Sequence, residues 1–329
     1  MRAVPLILLL VVGPLAAQET VTRRPVHTYS IVAMDSATGE LGVAVQSHWF
    51  SVGSLVTWAE PGVGAIATQS FVLPAYGPRG LYMMRTGVPA PDALAALLRA
   101  DPDSQVRQVA MIDAKGRVAA HTGSRDIPAA GHIVGRHYAV QANLMRNDAV
   151  WPAMARAFES ATGDLADRLL AALDAAEAAG GDIRGRQSAA LVVVSGDADD
   201  ATWERIFDLR VEDHPDPLSE LRRLVRVARA YRAATEGDDL LTVGDIDGAL
   251  ASYRRASEML PDSATNGELI YWVAVTLADL GRVDEAIPLF RRSFRQDPSW
   301  MELLGRLPGA GLLRADRATL DRILRDARP

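Results

Sequence analysis

Few residue types in this chain are free to do chemistry. The 329 residues include no Cys, which excludes disulfides, thiolate metal ligands and a cysteine nucleophile. No phosphate loop, G-x-S-x-G elbow, H-E-x-x-H motif or dinucleotide fingerprint occurs. Any catalysis must therefore draw on oxygen nucleophiles, side-chain amides, carboxylates and arginine, which fits acyl transfer from a hydroxyl. Ser47-His48 offers both nucleophile and base types, but adjacent strand residues point to opposite faces, so a dyad is not expected. Asp197, Asp199 and Asp200 lack the ligand series of a calcium loop and read as a solvated turn. Asp213, His214 and Asp216 alternate with Pro215 and Pro217, which suggests a rigid connector; no metal site and no cofactor are expected. Tyr76 and Arg79 sit in a Gly/Pro segment that suits loop packing or a pocket rim. Arg186 either holds a substrate carboxylate or bridges to Asp208 or Asp213.

The elements that must position these residues follow from periodicity. Thr28–Met34 and Leu41–Ser47 read as strands, the second with strict alternation. Ser54–Ala59 and Val63–Gln69 flank Glu60-Pro61-Gly62, which suits a type II turn. Small residues (Gly42, Ala44, Gly64, Ala65, Ala67) suit close packing of one sheet on another. Helices are expected over 78–85 and 91–100, then a hairpin over 106–113 and 117–122 and a strand over 138–144. Two helices (149–161, 165–179), two strands (187–194, 204–211) and a helix from Leu218 to Ala234 complete this part. Runs of strands and runs of helices, without βαβ alternation, indicate an α+β fold.

Beyond about residue 236 the chain repeats. Gly244 to Leu250 aligns with Gly281 to Ile287 at an offset of 37, and the alignment continues through Tyr253/Phe290, Arg254-Arg255/Arg291-Arg292 and Pro261/Pro298. These spacings mark tetratricopeptide-like repeats, with Glu236-Gly237-Asp238-Asp239 interrupting the first helix. Two repeats are too few to stand alone, so they should lean on the 218–234 helix and on helices near 300–304 and 317–326.

Tyr29-Ser30-Ile31-Val32-Ala33, Gly42-Val43-Ala44-Val45-Gln46-Ser47 and Gly62 to Gln69 carry a family resemblance. So do Tyr76-Gly77-Pro78-Arg79-Gly80-Leu81, Gln141-Ala142-Asn143-Leu144, Gly185 to Ala190, and Asp208-Leu209-Arg210-Val211 with Asp213 to Pro217. In these segments residues 28–217 resemble the bacterial family called domain of unknown function 1028. That family's fold is similar to the N-terminal-nucleophile (Ntn) hydrolases, a four-layer αββα sandwich. The resemblance implies a mature chain whose first residue is the nucleophile and whose own α-amine, with a pKa near 8, is the base. Thr28 then becomes the catalytic candidate, with Ser30 on the same strand face as a weaker one. Oxyanion donors would come from Asn143 beside Gln141, or from Gln69-Ser70; strand-end hydrogen bonding is the plainer role for Asn143 and Gln141.

The N-terminus complicates this. Met1-Arg2, the apolar run Ala3–Pro14 and the small residues Leu15-Ala16-Ala17 read as a secretory signal over 1–17. The run falls short of the roughly 20 residues that span a bilayer. Residues 18–27 would remain as a polar leader, so exposing Thr28 needs a second cut after His27, by self-cleavage or another protease. The expected layout is thus signal (1–17), leader (18–27), Ntn-like domain (28–217) and helical region (218–329) of a secreted or periplasmic protein. A formal charge of −6 without a basic stripe argues against nucleic-acid binding. The expected activity is hydrolysis of a small or peptidic amide; the alternative is a non-catalytic ligand-binding or assembly module. In either case the helical region is expected to bind a protein or peptide, or to make a homodimer contact, with no membrane association after signal cleavage.

Overall fold

The computed structural model describes residues 26–329, so the expected signal and leader residues 18–25 lie outside the described residues. Strands β1 (Thr28–Met34) and β2 (Leu41–Ser47) form the opening hairpin. A one-turn helix, α1 (Gly53–Val56), replaces the expected start of the next strand, and β3 (Thr57–Glu60) pairs with β4 (Gly64–Ser70). Between them Gly62 adopts φ +62° and the Val63 amide donates to the Glu60 carbonyl at 3.2 Å, closing the turn around Pro61. Helices α2 (Tyr76–Arg85) and α3 (Ala90–Ala100) follow, so Tyr76 and Arg79 are helical and not in a loop. Next come β5 (Arg107–Asp113), β6 (Val118–Thr122), β7 (Gly131–Gly135) and β8 (Tyr138–Ala142). The unexpected strand, β7, is a half-buried edge of five residues with glycine at both ends, too short and too weakly alternating to stand out in sequence. Helices α4 (Val150–Ser160) and α5 (Leu165–Ala178) precede β9 (Ser188–Val194) and β10 (Phe207–Val211).

These strands make two antiparallel sheets, ordered β10-β9-β2-β1-β8-β7 and β3-β4-β5-β6. Period-two alternation divides the central strands between two cores. Val32, Val43 and Val45 meet Ala65, Ala67, Ala110 and Ile112 between the sheets. Tyr29, Ile31 and Ala44 pack outward against α4 and α5, while Ile66, Val109 and Met111 pack outward against α2 and α3. The small residues divide the same way. Ala65 and Ala67 face the opposite sheet, but Gly42 and Gly64 face helices, and a Cβ on Gly42 would lie 2.7 Å from the Leu169 side chain of α5. Gly42 thus sets how closely α5 approaches its sheet.

Helix α6 (Pro217–Thr242) runs straight through Glu236 to Asp239 instead of breaking there. Gly237 is buried against the Tyr253 ring, and the Tyr253 hydroxyl donates to Asp238, so tertiary packing outweighs the low helix propensity of glycine. Helices α7 (Ile246–Glu258), α8 (Glu268–Asp279) and α9 (Val283–Gln296) continue, followed by α10 (Ser299–Leu304) and α11 (Arg317–Asp326). They share one apolar core built on Tyr253, Tyr271, Phe290, Phe294 and Ile323. Of the paired arginines, Arg255 bridges to Glu236 and Arg292 to Asp262, while Arg291 donates to the Asp326 backbone carbonyl, so two of the four charges are paired within the chain.

Candidate functional site

One end of the inter-sheet layer is polar where the rest is apolar. The alternation that turns Val32, Val43 and Val45 inward also turns Thr28, Ser30 and Ser47 inward, and Gln69, Gln108 and Gln141 join them. Register lines them up: Thr28 lies opposite Ser47, Ser47 opposite Ser188, Ser30 opposite Gln141, and Gln69 opposite Gln108. Buried polar atoms at this density require partners. Ser30 donates to Gln69 Oε1 at 2.6 Å and receives Gln141 Nε2. Gln69 Nε2 donates to the Thr28 carbonyl at 3.1 Å and to Gln108 Oε1 at 2.7 Å. Asn143 Nδ2 also donates to Gln108 Oε1, at 2.8 Å, and its backbone amide donates to the Thr28 carbonyl. Gln141 Oε1 is left without a partner among the described residues.

The last two leader residues close this end. Val26 exchanges backbone hydrogen bonds of 2.6 and 3.0 Å with Ser70, which adopts φ +69°, and Val26 and His27 are both buried. His27 Nδ1 lies 2.8 Å from Asn143 Oδ1. The Asn143 amide group already donates to Gln108, so its oxygen accepts and the imidazole carries its proton on Nδ1. Burial pushes the His27 pKa below its ordinary 6.5, with Arg184 adding to the depression and the Asn143 bond opposing it. The ring is therefore neutral at neutral pH.

The His27 carbonyl oxygen has two side-chain donors. It accepts the Ser47 hydroxyl and Arg184 Nη2, the latter at 2.9 Å. Arg184 is held in turn by Asp182, at 3.0 Å from Nε to Oδ1 and 2.7 Å from Nη2 to Oδ2, and Asp182 also accepts the His48 amide at 3.2 Å. The next residue is Thr28, whose hydroxyl donates to the Val26 carbonyl at 2.8 Å. The arrangement thus places two hydrogen-bond donors, one cationic, on a single peptide carbonyl directly before a buried threonine. Such donors stabilise negative charge developing on that oxygen.

Thr28, Ser30, Gln69, Gln141 and Asn143 are gathered in this cluster, with Ser70 at its edge donating to Asp126 at 2.7 Å. Arg186 stands apart, half-exposed, 3.4 Å from both Glu177 and Asp216 and not paired with Asp208 or Asp213. His48 is exposed while Ser47 points inward, as alternation requires. Sequence reasoning missed Ser47 as a donor, along with His27, Gln108, Asp182 and Arg184. Gln108 does leave a signal, since it interrupts the inward apolar series of Ala110 and Ile112. Arg184 lies in a turn and has no periodic signature at all.

Comparison with known proteins locates this part of the chain. The model of a family described as "Family of unknown function (DUF1028)" matches residues 28–221. The crystal structure of protein SPO2555 from Silicibacter pomeroyi, which carries the same family description, is 31% identical, covers 61% of this chain and 86% of that chain, and superposes with a TM-score of 0.56. No curated protein matches the chain.

Proposed function

The chain belongs to DUF1028, a family of unknown function, and from that premise we propose that it is an exported Ntn-type amide hydrolase whose nucleophile, the Thr28 hydroxyl, is freed by cleavage of its own His27–Thr28 bond. The observation that carries this reading is the pair of donors, Ser47 Oγ and Arg184 Nη2, on the His27 carbonyl. Two face-to-face antiparallel sheets with helices on both outer faces agree with the αββα architecture of that superfamily.

In the proposed step, Thr28 Oγ adds to the His27 carbonyl carbon and the electron pair moves onto the carbonyl oxygen, where Ser47 and Arg184 meet it. Collapse expels the Thr28 nitrogen, which takes up the hydroxyl proton and becomes a free α-amine. The ester left between His27 and Thr28 Oγ is then hydrolysed by water. Loss of the leader uncovers Thr28, frees the donors Ser47 and Arg184 to receive a substrate carbonyl, and frees Asn143 Oδ1 to accept a substrate N–H. The α-amine then serves as base for attack on an amide, giving an acyl-enzyme. The substrate class is a small or peptidic amide. On the same proposal the tail holds tetratricopeptide-like repeats that serve a protein or peptide partner or a second copy, and the site of action is the periplasm or outside the cell.

The test is the intact mass and N-terminal sequence of the purified full chain. A chain beginning at Thr28, with Thr28→Ala remaining untrimmed and inactive against an amide library, is expected. A wild-type chain that keeps residues 18–27 indefinitely overturns the mechanism. A specific observation would then favour the second reading, a non-catalytic binding or assembly module: with the leader docked, Thr28, Ser30, Gln69, Gln141 and Asn143 are all fully buried.

A further inference from the structure

The helical region holds a cavity of about 620 Å³ between α6, α7 and α8, lined also by Leu312 and Arg314 from the segment before α11. Its volume falls within the range typical of small-molecule sites, roughly 300–1,000 Å³. Leu241, Ile246, Leu269, Trp272, Val275 and Leu312 make its walls largely apolar. Three carboxylates also line it: Asp238, Glu268 and Asp279. Among the described residues Arg314 is its only cationic lining group, and Arg314 is already spent on Asp279, with Nη2 2.7 Å from Oδ2 and its backbone amide 2.6 Å from Oδ1.

Asp238 and Glu268 are compensated differently. Each accepts a tyrosine hydroxyl, Tyr253 to Asp238 and Tyr231 to Glu268, and these are neutral donors. Burial first, then the Glu268 carboxylate, pushes the Tyr231 hydroxyl up to about 12, so it keeps its proton and meets Glu268 as a neutral donor. The cavity therefore presents two carboxylates that no cation of its lining neutralises. Trp272, Tyr231 and Tyr253 line the same cavity, a setting that favours a cation over an anion or a neutral group.

We propose that this cavity binds a small organic cation, an ammonium or guanidinium group on an apolar body, with the charged end at Asp238 and Glu268 and the body along Leu241, Leu269 and Trp272. Charge complementarity selects the cation, and the cavity's volume suits a compact ligand. The site is independent of Thr28 and does not rest on the hydrolase reading.

The probe is 4-phenylbutylamine, titrated into the full chain by calorimetry and followed by Trp fluorescence, beside 4-phenylbutanol and 4-phenylbutyrate. The amine is expected to bind roughly tenfold tighter than the alcohol, in proportion to the contact of a cation with carboxylates and aromatic faces. The acid should bind weakest. Glu268→Gln and Asp238→Asn, which keep an oxygen for the tyrosine hydroxyls, should each weaken the amine several-fold and leave the alcohol unchanged. An amine that binds no tighter than the alcohol, or that both variants leave unaffected, overturns the proposal. So does binding of an Arg/Lys-rich peptide while the amine stays silent.

Discussion

Replacing Ser47 by Ala removes one of the two donors on the His27 carbonyl and little else. Ser47 is fully buried, its hydroxyl donates to that carbonyl, and its backbone pairing with Thr28 and Ser188 survives the change. In the folded precursor the lost bond is one between neutral groups, costing about 1 kcal/mol of stability. In the cleavage transition state the same oxygen carries developing negative charge. Loss of one oxyanion donor then costs about 2.7–4 kcal/mol, or a factor of roughly 10²–10³ in rate. The second donor, Arg184, stays fixed by its two bonds to Asp182, so cleavage slows without stopping. Precursor refolded from denaturant and sampled by intact mass gives the rate, and first-order kinetics independent of protein concentration identifies an intramolecular reaction. A Ser47→Ala precursor that matures within threefold of wild type refutes the role of this carbonyl. A wild-type precursor that never matures refutes self-cleavage altogether.

Two further outcomes follow from the packing and from the depressed His27 pKa. Gly237→Ala gains about 1 kcal/mol of helix propensity, but its Cβ would lie 2.6 Å from the Tyr253 ring. Overpacking of this kind costs about 1–3 kcal/mol, so the denaturation midpoint should fall; a raised midpoint would show that the ring gives way freely. Because the folded pKa of His27 lies below its ordinary 6.5, the docked leader holds fewer protons than the free one. Its docking is at full strength above pH 6.5 and weakens as pH falls through the folded value. In untrimmed Thr28→Ala chain, amide protection at Val26 and Ser70, corrected for intrinsic exchange, should drop between about pH 7.5 and 5; constant protection contradicts the buried neutral imidazole.

The strands of the two sheets are legible because alternation and turn chemistry are local. The Pro61-Gly62 turn and the bounds of β1 and β2 follow from a few adjacent residues. What alternation cannot reveal is which of two faces meets a sheet and which meets a helix, so Gly42 and Gly64 were expected to line the wrong layer. The α6 helix outran its expected end for a related reason: Gly237 looks like a breaker until Tyr253, sixteen residues later, packs on it. In the candidate site, Thr28, Ser30, Gln69, Gln141 and Asn143 lie on strands whose register brings them together. Arg184 and Asp182 come from a turn after α5, and only the folded chain sets them against the carbonyl before Thr28.

Closure and catalysis use the same atoms in the proposed mechanism, which makes the fate of the freed leader decisive. His27 occupies Ser47 Oγ and Arg184 Nη2 with its carbonyl and Asn143 Oδ1 with its ring. Val26 adds two backbone bonds to Ser70. While the chain is continuous these contacts form at the high effective concentration of a tether. After cleavage they must hold a separate peptide that ends in a carboxylate at His27. Net hydrogen bonds of about 1 kcal/mol each, with somewhat more for the one to Arg184, add up to roughly 4–6 kcal/mol, and millimolar affinity corresponds to about 4 kcal/mol. A synthetic peptide of residues 18–27 should therefore bind trimmed protein with a Kd in the range of about 0.1–1 mM and compete with substrate carbonyls for Ser47 and Arg184. Arg184→Met should weaken it further by removing the partner of its terminal carboxylate. A peptide that stays with the protein through gel filtration would mean that cutting does not open the cluster, and Thr28 would then have no access to any substrate.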